Sequence, residues 1–138
     1  MEVEVKQVEG ISFLGRADSD HWIVMDGPSD LGGYDAGSRP MELLLIALGG
    51  CTGMDVVTLL DKMRVEYDHL EIRISASQRE EYPKIFTEIN LEYKIFGEKV
   101  PEDKVKKAID NSQNKYCSVS GVLRKSADIS YDYEIIEE

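Results

Sequence analysis

Two cysteines, Cys51 and Cys117, are the side chains in this sequence best suited to covalent chemistry. Cys51 lies in Gly49-Gly50-Cys51-Thr52-Gly53-Met54-Asp55, inside the longest apolar run of the chain. A cysteine attacks as its thiolate, and apolar surroundings raise a thiol's pKa, so a thiol placed here needs local help to ionise. Asp55, four residues on, shares a helix face with Cys51. As a carboxylate it opposes a thiolate unless it orients an arginine or points away. The available cations in loops and strand ends are Arg16 and Arg39. A guanidinium stays charged when partly buried and can bond a carboxylate and a thiolate or peroxide oxygen together. A thiolate nucleophile, a cation for the leaving oxygen and a second thiol to resolve a sulfenic acid are the parts of a reducible thiol peroxidase. Cys51, an arginine and Cys117 would supply them.

The same residues admit other readings. A cysteine hydrolase needs a histidine base, and the only candidates are His21, after the turn Asp18-Ser19-Asp20, and His69, at a strand edge. A zinc site drawn from Cys51, Cys117, His21 and His69 has no pair with ligand-type spacing, and no C-x-x-C is present, so no metal or cofactor is expected. The plainest alternative is two buried, inert thiols. Against it stand Gly49, Gly50 and Gly53, each costing a helix about 1 kcal/mol relative to alanine. Close approach of another backbone or of a ligand would explain them.

The elements that must position these groups are read from periodicity. Val3, Val5 and Val8 alternate imperfectly with charges, and Ile11–Leu14 and His21–Met25 add two further strands. Asp26 to Ser38, with Gly27-Pro28, Gly32-Gly33 and Gly37, is a long turn-rich loop. Pro40 followed by Glu42 marks a helix start, and the pattern predicts a helix from Pro40 or Met41 to Met63 or Arg64, with its first half apolar nearly all round and so buried on most sides. Alternation over Leu70–Ser77 and Ile85–Ile95 predicts a long antiparallel hairpin. Pro101-Glu102-Asp103 opens a second helix with a stripe of Val105, Ala108, Ile109, Ser112 and Tyr116. That helix either ends near Asn114-Lys115 or kinks and continues past Cys117, with Gly121 a candidate terminator. A closing strand spans Ala127–Tyr133. The fold class is α+β: antiparallel sheets packed on a long buried helix, in a single domain over residues 1–138.

Composition narrows the partners. The chain is 42% hydrophobic and 31% charged, which suits a folded domain, and its net charge of −11 argues against nucleic acid and anionic membrane surfaces. The N-terminus has no apolar leader, and the apolar run Leu43–Met54 is shorter than the roughly 20 residues a bilayer span needs, so a cytoplasmic protein is expected.

The segment from Arg39-Pro40-Met41-Glu42 through Leu43-Leu44-Leu45-Ile46-Ala47-Leu48 to the glycine-flanked Cys51 and Asp55-Val56, paired with Tyr116-Cys117-Ser118-Val119-Ser120, closely resembles the family of osmotically inducible protein C and organic hydroperoxide resistance proteins. The order of elements matches along nearly the whole chain. The resemblance implies an intertwined homodimer with two central long helices, and reduction of organic hydroperoxides more readily than hydrogen peroxide. Cys51 would be peroxidatic and Cys117 resolving. The dithiol reductant would be a lipoylated or thioredoxin-like partner. It also implies an arginine on the peroxidatic thiolate, for which Arg16 is the first choice and Arg39 the reserve, held by a glutamate after the proline. Here Met41 occupies that position and the acid follows at Glu42, one residue or about 100° of helix rotation away. The sequence therefore looks closer to a branch with a Pro-x-Glu-Leu-Leu-Leu pattern, and in this chain Asp55, or an acid of the Asp26–Asp35 loop such as Asp35, would replace the glutamate as the arginine's partner.

Overall fold

A computed structural model describes residues 1–138, which form two compact units, Met1–Ile46 and Ala47–Glu138. In the first, β1 (Val3–Glu9), β2 (Ser12–Ala17) and β3 (Ile23–Met25) make an antiparallel three-stranded sheet. The turn-rich loop that follows is pinned by one carboxylate: buried Asp26 accepts hydrogen bonds from the backbone N–H groups of Gly27, Tyr34 and Ala36. Two of its glycines are required by close packing, since a Cβ on Gly33 or Gly37 would strike the carbonyls of Gly27 or Val24.

Helix α1 (Pro40–Lys62) begins in this unit and continues into the second. Its start is built as the proline and acid suggest. Pro40 occupies the first turn, and the Glu42 carboxylate accepts the Arg39 N–H at 2.8 Å, one half of a capping box. At 23 residues and a mean hydropathy of 2.0 in its most apolar window, α1 is long and apolar enough by composition to cross a bilayer. It is nonetheless a core helix on one side, where Leu48, Thr52, Val56 and Leu60 are buried at a four-residue spacing. The expectation that its first half is buried on most sides is corrected for the single chain: Leu44 and Ile46 are exposed, as are Met54 and Val57 further along. A single sheet surface covers one flank of a helix and leaves the other open.

In the second unit β4 (His69–Gln78) and β5 (Phe86–Phe96) form the expected long antiparallel hairpin. Ile89, Leu91, Tyr93 and Ile95 alternate along β5 as buried residues, and α2 (Glu102–Asn111) buries Val105, Ala108 and Ile109. The last strand, β6 (Asp128–Ile136), pairs with β5 in parallel. Parallel neighbours need a crossover of a dozen or more residues, supplied here by α2, one π-helical turn (Ser112–Tyr116) and the short α3 (Ser118–Leu123). Of the two courses open to the second helix, the structure is nearer the first: the helical run stops at Tyr116, Cys117 is extended, and a separate short helix follows. Gly121 does not end it but lies inside α3.

Candidate functional site

The glycines around Cys51 divide by function. A Cβ on Gly49 would meet Ile74 Cδ1 at 3.2 Å, and one on Gly53 would meet Ile72 Cδ1 at 3.4 Å. These two glycines let α1 settle onto β4. A Cβ on Gly50 would meet nothing within 4 Å.

That close seating brings α1 to the crossover. The sulfurs of Cys51 and Cys117 and a carboxylate oxygen of Asp55 lie within 4.8 Å of one another. Cys51 is half-buried and Cys117 is only 5% exposed. The π turn determines how Cys117 arrives. It widens the helix by one residue, turns both Ser112 and Gln113 inward, and leaves Cys117 extended as the cap of α3. There the sulfur accepts the Ser120 N–H at 3.4 Å. Burial pushes the Cys117 thiol up to about 11; the Ser120 N–H works against this, whereas the adjacent Cys51 and the Asp55 charge add to it.

Beneath the sulfurs runs a buried polar network that nothing in the periodicity foretells. Thr52 Oγ1 is its centre, 2.7 Å from Tyr93 Oη, 2.7 Å from Ser112 Oγ and 3.1 Å from Gln113 Nε2. Ser112 Oγ is also 3.0 Å from Asp55 Oδ2, so the carboxylate is tied to the network. Gln113 Nε2 donates to Tyr93 Oη, and its Oε1 accepts from Ser120 Oγ. At the outer end Arg124 Nη2 donates to the Gln113 carbonyl and to Ser120 Oγ. The sequence signals were Thr52, a hydroxyl in an apolar run, and Ser112, a hydroxyl on the apolar stripe of the second helix. Gln113 was hidden because the π turn shifts the helical phase, which also leaves Tyr116, expected on the buried stripe, about half exposed.

Of the remaining expected residues, Arg16, Asp35, Arg39 and Glu42 belong to the N-terminal unit. Arg16 pairs with Asp20 at 3.0 Å and Glu4 at 3.7 Å, and its guanidinium lies over Trp22 at 4.7 Å. Arg39 pairs with Asp35 at 2.7 Å, one of the acids expected as an arginine partner. The Glu42 carboxylate bonds the Arg39 backbone and neither guanidinium. Asp55 is in no ion pair. His69 stacks on Phe96 and lies 3.4 Å from Glu71.

Two three-stranded sheets and one long helix, with a cysteine at mid-helix close to a second in the crossover, define a class, and comparison with known proteins names it. The model of the OsmC-like protein family matches residues 33–132, and the chain belongs to that family. It is 41% identical to protein YhfA of Escherichia coli over 136 residues, 99% of this chain and 98% of that one. A crystal structure of a hypothetical protein from Aquifex aeolicus is 34% identical, covering 99% and 96% of the two chains with a TM-score of 0.87. The fold extends to an organic hydroperoxide resistance protein from Legionella pneumophila, with a TM-score of 0.71 at 14% identity over 97% of each chain.

Proposed function

We propose that this protein is a thiol-dependent peroxidase that reduces organic hydroperoxides, acting as one domain and as a homodimer in the cytoplasm. The observation that carries the reading is the approach of the Cys51 and Cys117 sulfurs to within 4.8 Å, with Cys51 the more accessible. Side-chain rotation and a shift of about 3 Å would bring such sulfurs to bonding distance. The Cys51 thiolate attacks the outer peroxide oxygen, the O–O bond breaks, and the alcohol leaves with one proton. Cys51 is then a sulfenic acid. The Cys117 sulfur displaces its hydroxyl, which leaves as water with the Cys117 proton, and the disulfide forms. A dithiol, lipoylated or thioredoxin-like, returns the pair to the reduced state. Arg16, with Arg39 in reserve, is the proposed cation for the departing oxygen, and Glu42 its helper. Family membership supports the reading, and the exposed apolar residues Ile46, Met54 and Val57 on α1 and Val3 and Val5 on β1 support the dimer.

A second reading is favoured by the raised pKa of Cys117 and by the carboxylates already held by Arg16: a redox sensor that is oxidised once and turns over poorly. One assay separates the two. Reduced protein receives one equivalent of cumene hydroperoxide and free thiols are counted, then a dithiol and excess peroxide are added. The peroxidase loses both thiols and cycles, and Cys51→Ser does neither. The sensor loses both thiols but does not cycle. Thiols unchanged after excess peroxide would sink both readings.

A further inference from the structure

The Cys51, Cys117 and Asp55 cluster has the composition of a metal site, although no spacing in the sequence suggested one. We propose that the reduced protein binds one zinc-class divalent cation through the two sulfurs and the Asp55 carboxylate, leaving a fourth position open toward solvent.

Several independent features converge on this. In a tetrahedral zinc site with bonds of about 2.3 Å to sulfur and about 2.1 Å to oxygen, the ligand atoms lie roughly 3.5–3.8 Å apart. The three donors here, within 4.8 Å of one another, need to close by about 1 Å, which χ rotation on a fixed backbone supplies. Two of them already have the outer hydrogen bonds that orient metal ligands. Ser112 Oγ, itself buried and bonded to Thr52, holds Asp55 Oδ2 and leaves Oδ1 free. The Ser120 N–H holds the Cys117 sulfur.

Charge points the same way. No lysine or arginine of residues 47–138 pairs with Asp55, so that unit supplies the carboxylate and the two thiols of this half-buried cluster but no side-chain cation. A divalent ion is attracted by the carboxylate charge and displaces both thiol protons. Two thiolates with one carboxylate are soft enough to select zinc or cadmium over magnesium or calcium. Cys51 and Asp55 are both partly exposed, which provides an entry path and the open position.

The site requires only reduced thiols and does not rest on peroxidase activity. Disulfide formation removes two of its three ligands, so metal occupancy and oxidation exclude each other. The test is an anaerobic titration of reduced full-length protein with cadmium, read by sulfur-to-metal charge transfer in the ultraviolet, followed by displacement with zinc against a chromophoric chelator. One equivalent per chain is expected, with the band lost in Cys51→Ser, in Cys117→Ser and in protein oxidised beforehand with diamide. Asp55→Asn should weaken affinity at least about tenfold, and circular dichroism checks that it is folded. Zinc-edge X-ray absorption of the wild-type protein gives an independent reading, with two sulfur neighbours and at least one oxygen expected. A missing charge-transfer band overturns the site. So does a band and affinity unchanged in folded Asp55→Asn, or a zinc shell without sulfur. No outcome depends on peroxide, so this proposal and the peroxidase reading fail separately.

Discussion

Thr52 shows how one hydroxyl can hold the elements around a cysteine pair in place. It reaches Tyr93 on β5 and Ser112 and Gln113 on the crossover, so it ties α1 to both partners of the cysteine pair. Thr52→Val keeps the shape but leaves Tyr93 Oη, Ser112 Oγ and Gln113 Nε2 each one bond poorer in a buried space. A loss of about 1–3 kcal/mol is expected in urea unfolding, with the m-value unchanged. The position of Cys117 has a kinetic counterpart. With its thiol pushed up to about 11, chiefly by burial, the reactive thiolate is a small fraction at neutral pH and grows about tenfold per unit as pH rises toward that value. Disulfide formation from oxidised Cys51 should therefore accelerate between pH 7 and pH 9. Trapping the sulfenic acid at timed intervals measures this. A flat profile would mean that a nearby group already takes the Cys117 proton.

At the scale of elements, α1 is where sequence reading succeeds and where it stops. Its start is legible because Pro40 and Glu42 act locally, through the first turn alone. The hairpin of β4 and β5 is legible because one buried face imposes strict alternation on Leu70–Ile74 and Ile89–Ile95. The π turn is not legible, since its single extra residue is stabilised by tertiary bonds to Thr52 and Tyr93 and has no signature of its own. The site divides similarly: both cysteines could be singled out from their settings and Ser112 fell on the apolar stripe, whereas Gln113, Ser120 and Arg124 required the crossover's path. The glycines offer a test at this scale. Gly50→Ala, with nothing within 4 Å of the new methyl, should gain about 1 kcal/mol of helix propensity within one chain. Gly49→Ala must displace Ile74 Cδ1 from 3.2 Å and should gain clearly less. Thermal melts of both, at concentrations spanning any association, make the comparison. A destabilising Gly50→Ala would place another backbone over that face.

For the whole molecule, alkaline pH should be the weak side. Burial raises Tyr93 from 10.0 to about 12, against the opposing bonds from Thr52 and Gln113, and raises Cys117 from 9.0 to about 11. Both groups hold their protons more tightly when folded. Their stabilisation is full below pH 9 and falls as pH climbs from 9 through 12, because the unfolded chain loses these protons first. Tyr93 alone accounts for roughly 2–3 kcal/mol of that fall, which urea midpoints from pH 8 to pH 11 should begin to register. The proposed dimer is tested at the same scale. Met54→Glu places a charge on an exposed apolar position, 74% accessible in the single chain. If a second copy covers α1, sedimentation should change from dimer to monomer in the variant. A wild-type monomer would remove the dimer from the reading.

The parallel pairing of β6 with β5 also sets an order of assembly. The β4–β5 hairpin closes between neighbours in sequence, whereas β5 and β6 can meet only after the whole crossover has been traversed. Contacts that close longer loops cost more chain entropy and form later. Cys117 rides on that crossover, so the nascent chain carries Cys51 for a time without the neighbour that, in the proposed peroxidase, rescues it from oxidation. A growing or refolding chain should therefore be far more open to irreversible damage at Cys51 than the finished protein. Pulsed alkylation during refolding should find Cys117 becoming protected in the final phase, in step with β6.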